Sequence, residues 1–346
     1  MAKYRRLLVI GLVLGLIAFI AVTLLSDVNA LIRYATTYPW WVVLPVIGLR
    51  AINWMLRFVK WHFYLKLVGV PHISLRDSAA VYFSGYPLAI SPGKAAEILK
   101  SFILQGMTGA PVATTLPVVA SERLSDGMAV LLLISGSILA LAANEYWSVV
   151  YLSLGAMLIG IVILQWRPLC LVLLRFLKRL PLIGRLAGSF ALFYESSYRI
   201  VQLPNLIIAV GLGLVANFLD GIGVYLLLLG LGLPASSELF FQAHLVISLS
   251  VVAGALSGMP GSIGASDLTI TGTLQHLVGL SVPMAGFATL LIRFIQLWIG
   301  VFFGGVVAIL NRKRLFTRGV HEAVGDHAAQ PREIQAVSGV MMPQVE

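Results

Sequence analysis

The sequence has few charged residues and a single cysteine, and both shortages limit what the protein can be. Asp, Glu, Lys and Arg make up 11% of the 346 residues, against 59% hydrophobic residues. A soluble domain of this length needs a larger charged surface to stay dispersed. Cys170 stands alone, so one chain cannot build a disulfide framework, a zinc cluster or an iron–sulfur site. We expect a membrane protein without metal or cofactor.

Long apolar runs dominate the chain, whose mean hydropathy is +0.95. Such runs are typical of helices that cross a bilayer. The run at 7–25 is longer than the apolar region of a signal peptide, and we predict a retained membrane helix there. The predicted unbroken spans are residues 7–25, 40–58, 117–142, 147–164, 206–231, 239–256 and 284–310.

Two further apolar stretches, residues 79–107 and 258–282, are interrupted by proline and glycine. If the second crosses the membrane and the first dips back, the count is eight. We therefore predict an all-α polytopic membrane protein of about eight transmembrane helices, two of them broken or re-entrant.

The net charge of +10 follows the membrane topology. Basic residues concentrate in short segments between apolar runs, which is the pattern of cytoplasmic loops. We expect both termini in the cytoplasm and no nucleic-acid partner. We predict one transmembrane domain over residues 1–318 and a disordered tail at 319–346. The domain has two halves, 1–165 and 204–318, joined by a basic cytoplasmic linker at 166–203. Lys60, Lys66 and Arg76 mark another cytoplasmic loop.

The two broken stretches resemble each other. Residues 91–97 read Ser-Pro-Gly-Lys-Ala-Ala-Glu, and residues 259–267 read Met-Pro-Gly-Ser-Ile-Gly-Ala-Ser-Asp. About thirty residues after each lies an arginine within a span, Arg123 or Arg293, followed three residues later by Asp126 or Gln296. Coincidence is the simpler explanation, because Pro-Gly pairs are common at turns. Broken internal repeats recur in transporters, and we favour an inverted two-fold repeat.

The breaks carry features that suit an anion. Ser91 and Pro92 can cap and begin a half-helix, whose free amides and positive dipole end would face a phosphate beside Lys94. The turn from Pro260 to Ser262 can do the same from the other half. Arg123 and Arg293 are costly at membrane depth unless they face a polar interior.

Other charged residues lie deep in the predicted spans. Arg50 and Arg57 share a helical face with Asn53, and snorkelling to the interface is the alternative for Arg57. Asp220 is an isolated deep acid that pairs with an arginine or carries a proton. The candidate substrate-binding residues are Ser91, Pro92, Gly93, Lys94, Glu97, Lys100, Glu122, Arg123, Asp126, Asp220, Pro260, Gly261, Ser262, Asp267, Arg293 and Gln296.

Three segments, residues 91–100, 121–126 and 259–264, together resemble the lysylphosphatidylglycerol synthase transmembrane family, a flippase-like domain that also forms the membrane half of the multiple peptide resistance factor. The resemblance implies a prokaryotic cytoplasmic membrane protein of two related halves, associated with lipid translocation. Synthase members carry a fused soluble domain, and this chain ends soon after Arg318, which argues against synthase activity. Lys94 and Lys100 stand where many relatives have arginine, and Gln296 stands opposite Asp126.

The favoured hypothesis is a flippase that binds an anionic lipid head group, phosphate-bearing or isoprenoid, between the two broken helices and moves it across the cytoplasmic membrane. Its hydrophilic cavity would be lined by Arg123, Arg293 and Asp220. The sequence contains no Gly-x-x-x-x-Gly-Lys-Ser/Thr motif, so transport is expected to be passive or coupled to protons or membrane potential. The candidate proton carriers are Asp220, Glu122 and Glu97. Membrane lipids are the expected partners, with a homo-oligomer or a cell-envelope enzyme as further partners.

Two alternatives remain open. An intramembrane enzyme acting on a lipid or polyprenyl-phosphate head group would use Glu97, Glu122 and Asp126 as acid and base, clustered at one membrane face. A non-catalytic subunit of a cell-envelope pathway would have polar span residues that pair with one another and leave no cavity. Because no nucleophile motif or metal-ligand cluster is present, we expect a transporter rather than an enzyme, with no catalytic residues.

Overall fold

The computed structural model describes residues 28–70, 73–90, 95–142, 147–165 and 197–315, which are helical and contain no strand. The first apolar run, most of the basic linker and the tail lie outside the described residues. The helices are α1 (Val28–Thr37), α2 (Val43–Leu67), α3 (Leu75–Ser84), α4 (Ala95–Thr108), α5 (Val112–Ala140), α6 (Trp147–Gln165), α7 (Leu203–Gly230), α8 (Ser237–Ser257), α9 (Ala265–His276), α10 (Val282–Arg293), α11 (Ile299–Leu310) and α12 (Arg312–Leu315).

Five of the described helices are long and apolar enough to cross a membrane. They are Trp40–Leu67, Val112–Ala140, Leu203–Gly230, Ser237–Ser257 and Val282–Leu310, where the first includes α2 and the last joins α10 to α11. At ~1.5 Å per residue, each spans about 30 Å or more, the thickness of the hydrocarbon core. The protein is therefore an all-α membrane protein, as its composition predicts.

The first of these helices runs further than its hydrophobic pattern indicates. The predicted span ends at Phe58, and Lys60 is assigned to a cytoplasmic loop. In the structure α2 continues to Leu67, and the side chain of Lys60 is 1% exposed. The assignment of Lys60 was wrong because its ammonium group is neutralised by a carboxylate on a neighbouring helix rather than hydrated at the membrane surface.

Helix α7 lies at the centre of the bundle and packs against α2, α5 and α8. Glycines let these helices approach closely. Gly213 of α7 lies against Asp126 and Ala129 of α5, and Gly221 lies against the ring of His244 on α8. Both ring nitrogens of His244 are within hydrogen-bond distance of backbone carbonyl oxygens, so this histidine packs two helices together.

The two broken stretches contain short helices beside tight turns. A 3-10 turn at Tyr86–Ile90 lies between α3 and α4, and another at Pro260–Ser262 lies between α8 and α9. With 14 and 12 residues, α4 and α9 are about 21 and 18 Å long, too short to cross the hydrocarbon core alone. The two turns pack against each other, so the breaks meet inside the bundle.

Segments predicted to be cytoplasmic lie at one end of the bundle. Arg314, beyond the last long helix, is 3.8 Å from Asp77 in the first turn of α3. At the opposite end, the Tyr38 hydroxyl donates to the Leu227 carbonyl oxygen (3.2 Å). The basic segment around residue 312 and the start of α3 therefore lie at the same end of the bundle.

Gly304 of α11 is a point where no side chain fits. A Cβ there would lie 2.5 Å from the Phe83 carbonyl oxygen and 2.7 Å from Pro87 Cδ. We expect Gly304→Ala to lower stability by ~1–3 kcal/mol, because the added methyl group forces the first break away from α11. The measurement is thermal unfolding in detergent.

Gly305 provides the matched control, since a Cβ there would meet only Pro87 Cγ at 4.0 Å. Gly305→Ala should leave stability unchanged or raise it by up to ~1 kcal/mol, the usual gain of alanine over glycine in a helix. Equal shifts of the unfolding temperature in the two variants would contradict the close contact at Gly304.

Candidate functional site

One face of α2 carries a continuous row of polar side chains. They recur every three or four residues, so they share one side of the helix, and they face α5 and α7. We call this row the polar lane; it consists of Arg50, Asn53, Arg57, Lys60 and Tyr64, with Asp126 of α5 and Asp220 of α7 as its carboxylate partners.

At one end of the lane, Arg50 binds Asp220. One guanidinium nitrogen is 2.8 and 3.0 Å from the two carboxylate oxygens, and the other donates to the Gln296 backbone oxygen (2.9 Å). The Asn53 amide donates to Asp220 (3.1 Å) and to the Ala216 carbonyl oxygen (2.7 Å). The isolated deep acid of the sequence is thus held by an arginine and an amide from α2.

Arg57 lies near the middle of α2 and does not snorkel. Its guanidinium donates to Asp126 on α5 and to the side-chain oxygen of Asn217 on α7 (3.1 Å). Its Nε donates to the Asn53 side-chain oxygen (3.1 Å), one turn earlier on the same helix. One arginine therefore links three membrane helices.

Lys60 contacts the second oxygen of the same Asp126 carboxylate and the Ser125 hydroxyl (3.3 Å). The Tyr64 hydroxyl in turn donates to Ser125 (3.2 Å). Each oxygen of Asp126 thus has its own cation, Arg57 or Lys60. Such double pairing compensates the cost of burying a carboxylate far from water.

The polar lane carries more positive than negative charge. Three cations, Arg50, Arg57 and Lys60, face two carboxylates, Asp126 and Asp220. One positive charge therefore remains in excess among the described residues of the lane. Since a charge in the membrane interior is costly, this excess is a feature that packing alone does not explain.

A small pocket opens beside Arg50 at this end of the lane. Its polar wall is formed by Arg50, Asp220 and Gln296, and the rest of its lining is apolar. Arg123 and Arg293, which the flippase hypothesis places in one cavity with Asp220, are not among the residues that line this described pocket.

A second polar cluster holds the second break. Arg293 donates through Nε to Asp267 (2.7 Å) and through a terminal nitrogen to the Gly261 carbonyl oxygen (2.9 Å). Asp267 also accepts from the Gly264 amide (2.7 Å), which caps the N-terminus of α9. Arg293 therefore fixes the break to the last long helix.

The second cluster and the polar lane are joined by a π-helical segment. Phe294–Trp298 has π-helical hydrogen bonding, begins directly after Arg293, and contains Gln296, whose carbonyl oxygen accepts from Arg50. A π-helical insertion changes the hydrogen-bond register, and such insertions are frequent at functional sites. Here it supplies a backbone acceptor for a buried arginine.

Lys100 of α4 forms a third polar contact. Its ammonium lies 4.5 Å from the Tyr82 ring centroid and 5.0 Å from that of Trp61, and 4.0 Å from the Glu122 carboxylate. These distances allow cation–π attraction. Gly85 leaves room for the lysine, since a Cβ there would lie 2.6 Å from Lys100 Cε.

The candidate residues from the sequence thus divide into groups. Asp126, Asp220 and the backbone of Gln296 join the polar lane; Lys100 pairs with Glu122; and Arg293 joins Asp267 and Gly261 beside Pro260 and Ser262. Arg123 is exposed on α5 and Glu97 lies in the first turn of α4. Ser91, Pro92, Gly93 and Lys94 lie outside the described residues.

Sequence reasoning noted that Arg50, Asn53 and Arg57 share a helical face but left all three out of the candidate substrate-binding residues. It missed Lys60 and Tyr64 entirely. The signal was present, because residues 50, 53, 57, 60 and 64 follow helical spacing. It was hidden by the assumption that a lysine marks the end of a membrane span.

Comparison with known proteins agrees with the motifs. The family model described as the lysylphosphatidylglycerol synthase TM region matches residues 7–304. A UPF0104 membrane protein of Pyrococcus horikoshii is 22% identical over 342 residues, which cover 91% of this chain and 99% of that protein. Because the family model matches most of the chain, including both breaks and the whole polar lane, this chain belongs to the lysylphosphatidylglycerol synthase transmembrane family.

Proposed function

We propose that this protein binds the anionic head group of a lipid within the bilayer and carries it from one leaflet to the other. The observation that supports this most directly is the polar lane on α2. A membrane protein of this family is compatible with a lipid-related function, and the lane gives that function a route.

The lane extends along the direction in which a head group would travel. Arg50 and Tyr64 are 14 residues apart on one helix, which corresponds to about 21 Å, or two-thirds of the hydrocarbon core. An enzyme would gather its carboxylates at one membrane face. Asp126 and Asp220 instead belong to different helices and to different levels of the lane, which favours transport over catalysis.

The charge of the lane suits a phosphate-bearing head group. Its net positive charge attracts an anion, and arginine presents paired N–H donors that match two phosphate oxygens. The side chains of Arg50 and Arg57 are largely but not completely buried, so both are placed to exchange one partner for another.

In this proposal the protein crosses the membrane eight times in two inverted halves, with the two breaks as re-entrant elements. The short lengths of α4 and α9 and the contact between the two turns support it. The predicted anion site at Ser91–Lys94 belongs to this proposal. At the second break the corresponding helix end is capped by Asp267.

A second candidate function is supported by the ion pairs themselves. Arg50 pairs with Asp220, Arg57 with Asp126, and Arg293 with Asp267, which is the mutual pairing expected of a non-catalytic subunit in a cell-envelope pathway. In that case the pairs hold the bundle together, and neutralising one affects folding or assembly only.

Transport is tested by following a fluorescent phosphatidylglycerol between leaflets of proteoliposomes. The wild type should exchange the lipid faster than protein-free vesicles. Arg57→Gln should slow exchange at least roughly tenfold, because a charge-assisted hydrogen bond is worth ~1.5–3 kcal/mol and each ~1.4 kcal/mol is tenfold in rate.

The matched control is Arg33→Gln, which makes the same change at an exposed arginine on α1 and should leave the rate unchanged. Both variants are first checked for a monodisperse size-exclusion profile. Wild-type vesicles that exchange phosphatidylglycerol no faster than empty ones, together with an Arg57→Gln protein that fails to fold, would support the subunit function instead.

Orientation is tested by cysteine labelling in a Cys170→Ser background. Arg76 in the first turn of α3 and Ala235 between α7 and α8 are both exposed, and segments rich in basic residues face the cytoplasm. A membrane-impermeant maleimide should therefore label Ala235→Cys in intact cells and Arg76→Cys only after the membrane is opened. The reverse pattern would refute the proposed topology.

A further inference from the structure

We propose that Asp126 occupies the phosphate site of the lane when no lipid is bound, and that a phosphodiester head group replaces it with the uptake of one proton. This inference rests on the proposed function and adds that lipid binding is coupled to proton uptake. It starts from the double contact at Asp126, whose two oxygens are bound by Arg57 and Lys60.

The geometry of this contact matches what a phosphodiester requires. A phosphodiester, like a carboxylate, presents two anionic oxygens to separate donors, and arginine binds both groups in the same manner. Gly213 of α7 faces the contact and has no side chain: a Cβ there would lie 3.1 Å from the Asp126 carboxylate and 3.5 Å from Lys60 Nζ. Beside Asp126 and Lys60, α7 therefore presents only the backbone of Gly213, while its Asn217 side chain contacts Arg57 (3.1 Å).

The two anions cannot share these donors. Lys60 is 1% exposed, and its ammonium contacts only Asp126 and Ser125 among the hydrogen bonds of the described residues. A head group that binds Arg57 and Lys60 must therefore displace Asp126. A displaced carboxylate without a cation is costly in the membrane interior and becomes neutral by taking up a proton.

The exchange balances in charge. Before it, three cations face Asp126 and Asp220, which leaves one positive charge. Afterwards three cations face Asp220 and the singly charged phosphodiester, with Asp126 protonated, which leaves the same charge. The proton comes from water and adds to one oxygen of Asp126, and no bond of the lipid is formed or broken.

Three other ionisable groups on the helices around Asp126 have partners of their own. Asp220 is held by Arg50, Glu122 lies 4.0 Å from Lys100, and His244 faces two backbone carbonyls. The helices around Asp126 carry further ionisable side chains besides Arg57, Lys60 and Tyr64. They are Arg50, His62 and Lys66 on α2, Glu97 and Lys100 on α4, Glu122 and Arg123 on α5, Tyr151 on α6, Asp220 and Tyr225 on α7, and Glu238 and His244 on α8.

The test is calorimetric titration of a short-chain phosphatidylglycerol into the protein in maltoside micelles, whose head groups contain no phosphate. Titrations at pH 7 in two buffers of different ionisation enthalpy give the number of protons taken up per lipid. We expect about one for the wild type and about zero for Asp126→Asn, which still binds the lipid. Asp126→Glu should restore a value of about one.

Asp77→Asn is the matched control, since it removes a carboxylate outside the lane, beside Arg314 at one end of the bundle, and should leave the proton number at about one. Wild-type binding without proton uptake would overturn the inference and leave the proposed function intact. An Asp126→Asn protein that binds with undiminished uptake would do the same. Absence of any wild-type binding would overturn the proposed function, and this inference with it. The wild-type proton number needs no variant to fold.

Discussion

The structure depends on one constraint: three cations buried on α2 must each meet an anion inside the membrane. The membrane interior offers little water to solvate Arg50, Arg57 or Lys60, so the neighbouring helices supply the carboxylates. Asp126 on α5 and Asp220 on α7 do so. Apolar packing tolerates sliding and rotation of helices, but these pairs do not, and they set the register of α2 against both partners.

The same constraint accounts for the shape of the second half. The break after α8 leaves backbone groups without helical partners, and Arg293 and Asp267 satisfy two of them, the Gly261 carbonyl and the Gly264 amide. A non-helical backbone at membrane depth persists only when buried in protein or facing a cavity. The break and the lane therefore follow the same rule, that a buried charged group has a partner of opposite charge, although no side chain belongs to both.

The sequence predicts the class of this fold well and its pairing poorly. Apolar runs locate the long helices because each run is a local property of about twenty residues. The partner of Asp220 is not local: Arg50 lies 170 residues away, and several arginines were equally plausible. The placement of Lys60 failed for a related reason, since a lysine at a helix end and a lysine buried against Asp126 look alike until the neighbouring helix is known.

The π-helical segment has a consequence for how this family can vary. Arg50 reaches the last long helix through the carbonyl oxygen of residue 296 rather than through its side chain. Any amino acid offers that oxygen, so this contact does not depend on the residue type at position 296. The contact instead depends on the extra residue in the helical turn. A deletion of one residue within Phe294–Trp298 would break the link, whereas exchanging Gln296 for another residue would not, and comparisons based on residue identity would overlook it.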